Sequence, residues 1–315
     1  MQVNLNQAIA KLKAGEVVAI PTETVYGLAA DATNESALRQ IYALKQRPAD
    51  NPLIVHIGDM AQVSDWAAEF SPLAQKLALA FWPGPFTLVL PASSHVSAVV
   101  RANEPTVALR VPSHALTLQL LKESGLALAA PSANKYTQLS PTTAAHVAAG
   151  LGEQVAVLDG GACQIGIEST IVSVVGDNWQ LLRHGMITEA QIGAVAGKPA
   201  MLGAAIVPKV PGQHILHYSP KTPLKLFDDL PSLISYQQNS TQTCAALIID
   251  DNSPQNLDFN CIYLPKKNAQ VAEHLYEALH RLDALKVAQL LVLKPPNSPE
   301  WLAILDRLNR AARDD

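Results

Sequence analysis

The chain has few of the residues that carry several common kinds of function. Aromatic residues make up 5% of its 315 residues, so Ala, Val, Leu and Ile must fill most of the core. Its three cysteines, Cys163, Cys244 and Cys261, show no CxxC spacing, which argues against a disulfide framework or a structural zinc site. No apolar run is long enough to cross a membrane, and the N-terminus lacks the apolar core of a signal peptide. These absences predict a cytoplasmic protein with no membrane partner.

The chain also lacks a strong excess of charge of one sign. Its formal net charge is −4, which gives no basic signature for bulk nucleic-acid binding, so any RNA contact is expected to be local and weak. Apolar residues reach 49% and charged residues 16%. This balance is typical of a folded protein with a sizeable core, and the length fits one large domain or two ordinary ones.

Strand-like and helical patterns alternate through the first two thirds of the chain. The run EVVAIP predicts a strand, ESALRQIYALKQR a helix that Pro48 ends, and STIVSVVGDNWQLLRHG a β-hairpin. Prolines then punctuate residues 205–223, which is typical of a semi-rigid linker. We therefore predict an α/β domain with mixed strand pairing over residues 1–205, a linker over 206–222, and a small Rossmann-like α/β domain over 223–315. The last of these has no glycine-rich dinucleotide fingerprint.

The stretch PTETVYGL, directly after the first long strand pattern, holds an unusual set of side chains. Pro21 ends the strand, and Thr22, Glu23 and Thr24 follow at once. Ligands of open α/β sheets usually bind beyond the carboxyl ends of strands, so polar residues at such points are candidates for a site. Comparable positions elsewhere hold Lys45, Arg47, His56, Arg110, Ser132, Asn134, Ser140, Glu168, Ser169, Thr170 and Arg183.

These candidates share cations placed near hydroxyl and amide groups. Lys and Arg bind phosphates, and Ser, Thr and Asn donate hydrogen bonds to anionic oxygens. Such a set suits a nucleoside triphosphate with Mg²⁺, although the chain has no Walker A motif. Each residue also has an ordinary explanation: Lys45 and Arg47 close a helix, His56 lies in an apolar strand, and Ser132 and Asn134 suit a turn. No single residue decides the function.

Taken together, the motifs are more specific than their members. PTETVYGL, KQRPADNPLIVHI, FWPGPFTLVL, TVALRVPSH, APSAN, GIESTIV and LLRHG follow one another in this order. This pattern resembles the L-threonylcarbamoyladenylate synthase family, which has the YrdC-like fold, over residues 1–205. HYSPKTPL, LYEALHRLD and LDRLNRAA resemble the linker and second domain of its longer, two-domain form. The resemblance implies a twisted mixed sheet around a large, positively lined cavity.

The resemblance also implies a reaction and its partners. L-threonine, bicarbonate and ATP, the last with Mg²⁺, would give threonylcarbamoyl-AMP and pyrophosphate. A separate complex would then transfer the threonylcarbamoyl group to adenosine 37 of tRNA. The same resemblance implies that Lys45 and Arg47 are the catalytic pair. It also implies that Ser132 and Ser140 contact the metal indirectly, through ATP. The expected ATP-binding residues are Lys45, Arg47, Asn51, Thr106, Ser132, Asn134, Ser140, Arg183, His217 and Tyr218, and the expected threonine-binding residues are Thr22, Thr24, His56, Arg110, Ser169 and Thr170.

Several alternatives stay open at this point. The chain could be a carbamoyl-adenylate enzyme with another acceptor, or an RNA-binding module, although the net charge and the low aromatic content speak against the second. A serine hydrolase using Ser132 lacks a nucleophile elbow. The role of Glu23 is also open: it could orient the threonine amine or pair with a cation such as Lys45.

Overall fold

The fold was analysed in a computed structural model, which describes residues 1–199, 208–211, 218–251 and 257–312. Up to residue 199, the strands are β1 (Gln2–Val3), β2 (Val18–Ile20), β3 (Gly27–Asp31), β4 (Ile54–His56), β5 (Phe86–Pro91), β6 (Thr106–Arg110), β7 (Leu128–Ala129), β8 (Ala156–Leu158), β9 (Thr170–Val175) and β10 (Asn178–Arg183). The helices are α1 (Leu5–Lys13), α2 (Glu35–Lys45), α3 (Pro72–Phe81), α4 (Ala98–Arg101), α5 (Ala115–Ser124), α6 (Ala144–Leu151) and α7 (Glu189–Ala196). A 3₁₀ helix covers Met60–Asp65.

The strands of this first part form one mixed sheet. Within the described residues it has ten strands in the order β1-β8-β2-β3-β7-β4-β6-β5-β9-β10. Parallel pairs such as β4 with β6 alternate with antiparallel pairs such as β5 with β6. The predicted hairpin is confirmed, since β9 and β10 pair antiparallel. The α/β class with mixed pairing is therefore confirmed, while β3 has no counterpart in the sequence prediction.

The second part is a smaller, separate sheet covered by helices. Its strands are β11 (Leu224–Phe227), β12 (Cys244–Ile249), β13 (Asn260–Leu264) and β14 (Gln289–Leu293), in the all-parallel order β11-β14-β12-β13. Its helices are α8 (Leu230–Asn239), α9 (Asn268–Asp283) and α10 (Leu302–Ala311), with a 3₁₀ helix at Pro299–Trp301. A parallel sheet with helical crossovers is the Rossmann-like pattern that the sequence predicts.

The predicted linker falls between the two sheets. Helix α7 ends at Ala196 and β11 begins at Leu224, and the predicted boundary at residues 205 and 206 lies outside the described residues. The division at 205 and 222 therefore stays a prediction. None of the helices in the described ranges is both long and apolar enough to span a bilayer.

The C-terminal domain packs directly against loops of the first domain. Val25, Leu139 and Ile167 belong to the same buried apolar cluster as residues of α9 and α10. At Gly166 the two backbones come very close, because a Cβ built there would lie 2.3 Å from the carbonyl oxygen of Ala272 on α9. Gly166 also has a φ of +78°, which favours glycine. The junction is thus a packed interface rather than a loose tether.

Helix α2 shows how the sequence positions a site residue. Asn34 caps its first turn by accepting from the backbone N–H of Ala37 at 3.1 Å, as Asn prefers to do. The helix ends after Lys45, where Gln46 adopts a left-handed conformation with φ of +53°. This reversal sends Lys45 and Arg47 in different directions, and only Arg47 faces the pocket described next.

Candidate active site

A pocket with a cavity volume of about 50 Å³ lies where several strands of the large sheet end. Its wall is built from the turn after β2, the carboxyl ends of β4 and β6, the turn after β7, and the segment before β9, as the strand-end argument predicts. Pro211 and Tyr218, at the two ends of a segment outside the described residues, also line the pocket. The polar lining residues are Thr22, Thr24, Arg47, His56, Arg110, Ser132, Glu168, Ser169, Arg183 and Tyr218.

Thr22 and Thr24 form a compact turn beyond β2. The Thr22 hydroxyl donates to the carbonyl of Val25 at 2.6 Å, and it lies 2.8 Å from the Thr24 hydroxyl. It also accepts from the backbone N–H groups of Thr24 and Val25, both at 3.2 Å. This Ser/Thr-type turn orders the backbone after Pro21 and aims both side chains at the pocket.

Glu23 pairs with Arg110, and not with Lys45. Arg110 Nη2 lies 2.6 Å from Glu23 Oε1, and both side chains are only 4% exposed. Burial alone would raise the pKa of Glu23, but the adjacent guanidinium outweighs it, and the pKa is lowered. Arg110 also donates to the Thr24 hydroxyl at 3.0 Å and to the carbonyl of Gly84 at 3.2 Å. Glu23 thus holds Arg110 at the pocket wall.

Lys45 lies beneath the pocket rather than in its lining. Its ammonium donates to the carbonyls of Ser132 and Asn134, each at 2.6 Å. Burial and, after it, the charge of Arg47 hold the Lys45 pKa well below its usual value. Lys45 therefore supports the turn that carries Ser132 into the pocket.

Arg47 reaches the pocket with part of its hydrogen-bonding capacity unused. Its Nη2 donates to the carbonyl of Pro52 at 3.1 Å, and the guanidinium lies 5.8 Å from the centre of the Tyr136 ring. Its Nε is buried without a hydrogen-bond partner among the described residues. Asn51 donates to the Tyr136 hydroxyl at 3.4 Å, which places it behind Arg47 and outside the lining.

Arg183 and Ser169 form another part of the pocket wall. Arg183 donates to the backbone carbonyl of Ser169 at 3.0 Å and to its hydroxyl at 3.1 Å. A third bond, at 3.1 Å, goes to the carbonyl of Pro211. The Ser169 hydroxyl lies 2.8 Å from that of Thr87, so its position is fixed from two sides.

His56 lies at the end of β4 and is buried in the pocket wall. Burial, followed by the charge of Arg110, lowers its pKa from 6.5 to about 3, so the imidazole is neutral near pH 7. Its Nδ1 lies 3.2 Å from the carbonyl oxygen of Ile54. A neutral His beside Arg110 adds a polar contact without adding charge to the pocket.

His56 should make the protein sensitive to acid. The unfolded chain takes up the proton near pH 6.5 and the folded chain only near pH 3, so stability falls as the pH drops through that window. When the pH drops from 7 to 5, the unfolding free energy of the parent should fall by about 2 kcal/mol more than that of a His56→Asn variant. Urea unfolding at both pH values measures this, and an equal loss in both proteins would contradict it.

Some predicted residues lie apart from the pocket. Thr106 is at the opposite end of β6 from Arg110, and the Thr170 hydroxyl donates to the carbonyl of Ile187 at 2.7 Å. The Ser140 hydroxyl donates to Glu168 at 2.6 Å below the wall. Asn134 lines a different groove, between the domains. Tyr218 lines the pocket, while His217 lies outside the described residues.

Two residues of the C-terminal domain were missed as site residues. Arg307 on α10 and Tyr276 on α9 both bond to the Glu168 carboxylate. The sequence carried one signal: Arg307 shares a helical face with Ile304 and Ala311, which are buried. A cation on an apolar face needs a buried partner, and that partner comes from the other domain.

The pocket has the chemistry of an anion-binding site. Three arginines, Arg47, Arg110 and Arg183, line it beside hydroxyl groups, and Glu168 is the one carboxylate named among its described lining residues. Across the described residues, no group of three or more His, Cys, Asp or Glu side chains is placed to hold a metal ion.

The fold and the pocket define a class: a two-domain α/β protein with an enclosed, arginine-lined site for anionic substrates. The family model Sua5_yciO_yrdC, described as "Telomere recombination", matches residues 10–185, and the model "Threonylcarbamoyl-AMP synthase, C-terminal domain" matches residues 187–313. The chain belongs to the threonylcarbamoyl-AMP synthase family, in its two-domain form.

Individual relatives agree with this assignment. The threonylcarbamoyl-AMP synthase of Bacillus subtilis is 41% identical, over 97% of this chain and 92% of that protein. The one from Pyrococcus abyssi is 35% identical, over 96% and 92%. Among solved structures, P. abyssi Sua5 complexed with L-threonine superposes with a TM-score of 0.91 at 32% identity, covering 99% of this chain and 97% of that one. The family resemblance of the sequence motifs is thereby confirmed.

Proposed function

We propose that this protein forms threonylcarbamoyl-AMP and pyrophosphate from L-threonine, bicarbonate and ATP. The observation that carries the proposal is the gathering of three arginines, Arg47, Arg110 and Arg183, in the lining of one pocket beside hydroxyl groups. Arg110 bonds to the Thr24 hydroxyl and acts on the neutral His56, and we assign these surroundings, the threonine side, to the amino acid. We assign the surroundings of Arg47 and Arg183, the nucleotide side, to a phosphate chain.

The threonine side would bind its ligand by charge and shape. Arg110 has the role of pairing the substrate carboxylate, since Glu23 and Thr24 fix its guanidinium in place. Thr22, Thr24, His56 and Ser169 would surround the amine and the side-chain hydroxyl. The L-threonine complex of P. abyssi Sua5 supports threonine as the ligand, whichever residues contact it.

The nucleotide side would neutralise the triphosphate. Arg47 has a free buried donor for a phosphate oxygen, and Arg183 is held rigidly by Ser169. Lys45 would add positive charge from beneath. We propose that Mg²⁺ enters with ATP. Of the two serines expected near the metal, Ser132 has its hydroxyl in the pocket lining, whereas the Ser140 hydroxyl is bonded to Glu168. Mg²⁺ is commonly bound through substrate phosphates in this way.

The reaction would proceed by proximity rather than through a covalent enzyme intermediate. The threonine amine attacks the carbon of bicarbonate and, with loss of water, gives a carbamate. A carbamate oxygen then attacks the α-phosphorus of ATP, and pyrophosphate leaves with the electron pair of the broken P–O bond. The protein holds the reacting anions together and stabilises the charge that grows on the pyrophosphate, which Arg47 is placed to do from the lining. Lys45 would act from beneath, by holding the turn that carries Ser132.

Omitting one substrate at a time tests this proposal. We expect pyrophosphate release that requires ATP, L-threonine and bicarbonate together, with product of the mass of threonylcarbamoyl-AMP. Release without threonine would instead favour a carbamoyl-adenylate enzyme with another acceptor. Salt-sensitive RNA binding without any ATP use would favour an RNA-binding module.

The product of this reaction needs a consumer. Threonylcarbamoyl-AMP is a mixed anhydride, so we propose that a separate tRNA threonylcarbamoyl transferase complex takes it up for modification of tRNA position 37. The absence of a basic excess, at a net charge of −4, supports weak RNA contact at most by this chain itself. When the transferase and tRNA are added, we expect modified tRNA as well as pyrophosphate, and nucleoside mass analysis detects the modification.

A further inference from the structure

Glu168 is a carboxylate in the wall of a pocket built for anions. It is buried, at 7% exposed, and lines the pocket with Ser169. A negative charge there would repel both a triphosphate and a carboxylate, since like charges placed together in a binding site cost several kcal/mol. The pocket therefore needs a means of neutralising Glu168.

The neutralising cation comes from the C-terminal domain. Arg307 Nε lies 3.0 Å from Glu168 Oε2, and the Arg307 side chain is 1% exposed. Its Nη2 donates to the Glu168 backbone carbonyl at 3.4 Å, and its Nη1 to the carbonyl of His184 at 2.6 Å. One guanidinium thus holds two neighbouring segments of the first domain, the loop before β9 and the end of the β9–β10 hairpin.

The remaining contacts of Glu168 leave no oxygen for substrate chemistry. Oε1 accepts from the Ser140 hydroxyl at 2.6 Å, and the Tyr276 hydroxyl lies 3.3 and 3.1 Å from the two oxygens. Burial would raise the pKa of Glu168, but the charges of Arg307 and Arg183 outweigh it, and the pKa is lowered. Glu168 is therefore an ionised structural acceptor, and it is not free to act as a general base.

Arg183 does not take over this pairing. Three of its five N–H donors bond to Ser169 and Pro211, so it acts on the residue after Glu168. Among the described residues, Arg307 is the cation in ion-pair contact with Glu168.

We infer that Arg307 is a positioning residue of the active site: it neutralises Glu168 and fixes the Glu168–Ser169 segment, so that the C-terminal domain sets the charge of the pocket. The inference rests on the proposed function for its substrates, but its main readout is binding. Removing Arg307 leaves an uncompensated carboxylate in the pocket, whereas removing both partners of the pair does not.

The test uses the full-length chain and two variants. Arg307→Met should weaken the binding of ATP and of pyrophosphate about tenfold or more, with a rise in KM for ATP that exceeds the fall in kcat. Adding Glu168→Gln should recover most of that affinity, because the negative charge is gone. Calorimetry with ATP and with pyrophosphate alone measures this whether or not the product is threonylcarbamoyl-AMP, which separates failure of this inference from failure of the proposed function.

The pH dependence provides a second readout that a merely structural role would not move. Without Arg307 the pKa of Glu168 should rise, so Arg307→Met should bind pyrophosphate better as the pH is lowered, and Arg307→Met/Glu168→Gln should not share that gain. Arg281→Ala, an exposed arginine of α9, serves as the control and should bind like the parent.

Two outcomes would overturn the inference. One is parental affinity in Arg307→Met, and the other is a double variant that binds no better than the single one. If Arg307→Met fails to fold, two other variants keep the test open. Arg307→Lys keeps the positive charge and should bind ATP within a few-fold of the parent affinity. Arg307→Met/Glu168→Gln should fold, because it contains no unpaired charge. A large loss of affinity in a folded Arg307→Lys would then count against neutralisation as the role.

Discussion

Arg110→Met is expected to raise the KM for L-threonine about 100-fold while leaving the affinity for ATP within a few-fold of the parent. The substrate carboxylate loses a buried, pre-positioned guanidinium, and losing one partner of such a charge pair costs 2–5 kcal/mol, which corresponds to a factor of that size. Steady-state pyrophosphate release at varied threonine measures the KM, and nucleotide binding by calorimetry gives the comparison.

The pairing of Arg110 with Glu23 provides a matched control. In Arg110→Met, Glu23 becomes an unpaired buried charge, which should destabilise the fold by about 3–5 kcal/mol. Arg110→Met/Glu23→Gln should regain much of that stability without regaining threonine affinity. If the double variant bound threonine normally, Arg110 would act only as the structural partner of Glu23, and its role in the threonine pocket would be wrong.

Lys45→Met should lower kcat about 100-fold, because displacing a group at the site by about 1 Å can cost that much. The variant loses positive charge beneath the pocket, and it also releases the carbonyls of Ser132 and Asn134, which the ammonium holds at 2.6 Å. Burst and steady-state assays of pyrophosphate release measure the effect on chemistry.

A thermal melt of Lys45→Met must accompany those rates, because two buried carbonyls without partners cost about 1–3 kcal/mol each. Lys122→Ala removes an exposed lysine on α5 and should leave both rate and stability unchanged. A folded Lys45→Met variant with the parent's kcat would show that the charge of Lys45 has no part in catalysis.

Much of the fold and part of the site could be predicted from local sequence. Periodicity gave the α/β class, and the hairpin was visible because its two strands are joined by a short turn around Gly176, which has a φ of +57°. The rule that ligands bind beyond strand ends pointed to Thr22, His56 and Arg110, and the structure brings these together in one pocket. Their roles in binding stay predictions.

What local sequence could not give is the pairing of buried charges over long separations. Glu23 bonds to Arg110 across 87 positions, and Glu168 to Arg307 across 139. Spacing carries no signal at such distances, since these pairs depend on how whole sheets and domains meet. Lys45 illustrates the same limit: its place at the end of α2 is visible in the sequence, but its carbonyl partners 87 and 89 positions away are not.

The close approach at Gly166 makes the junction of the two domains sensitive to a single substitution. The backbone of α9 lies so near that no Cβ fits between the two domains at this point. A larger side chain at position 166 would act as a wedge, forcing the two domains apart and separating Glu168 from Arg307 without altering either residue.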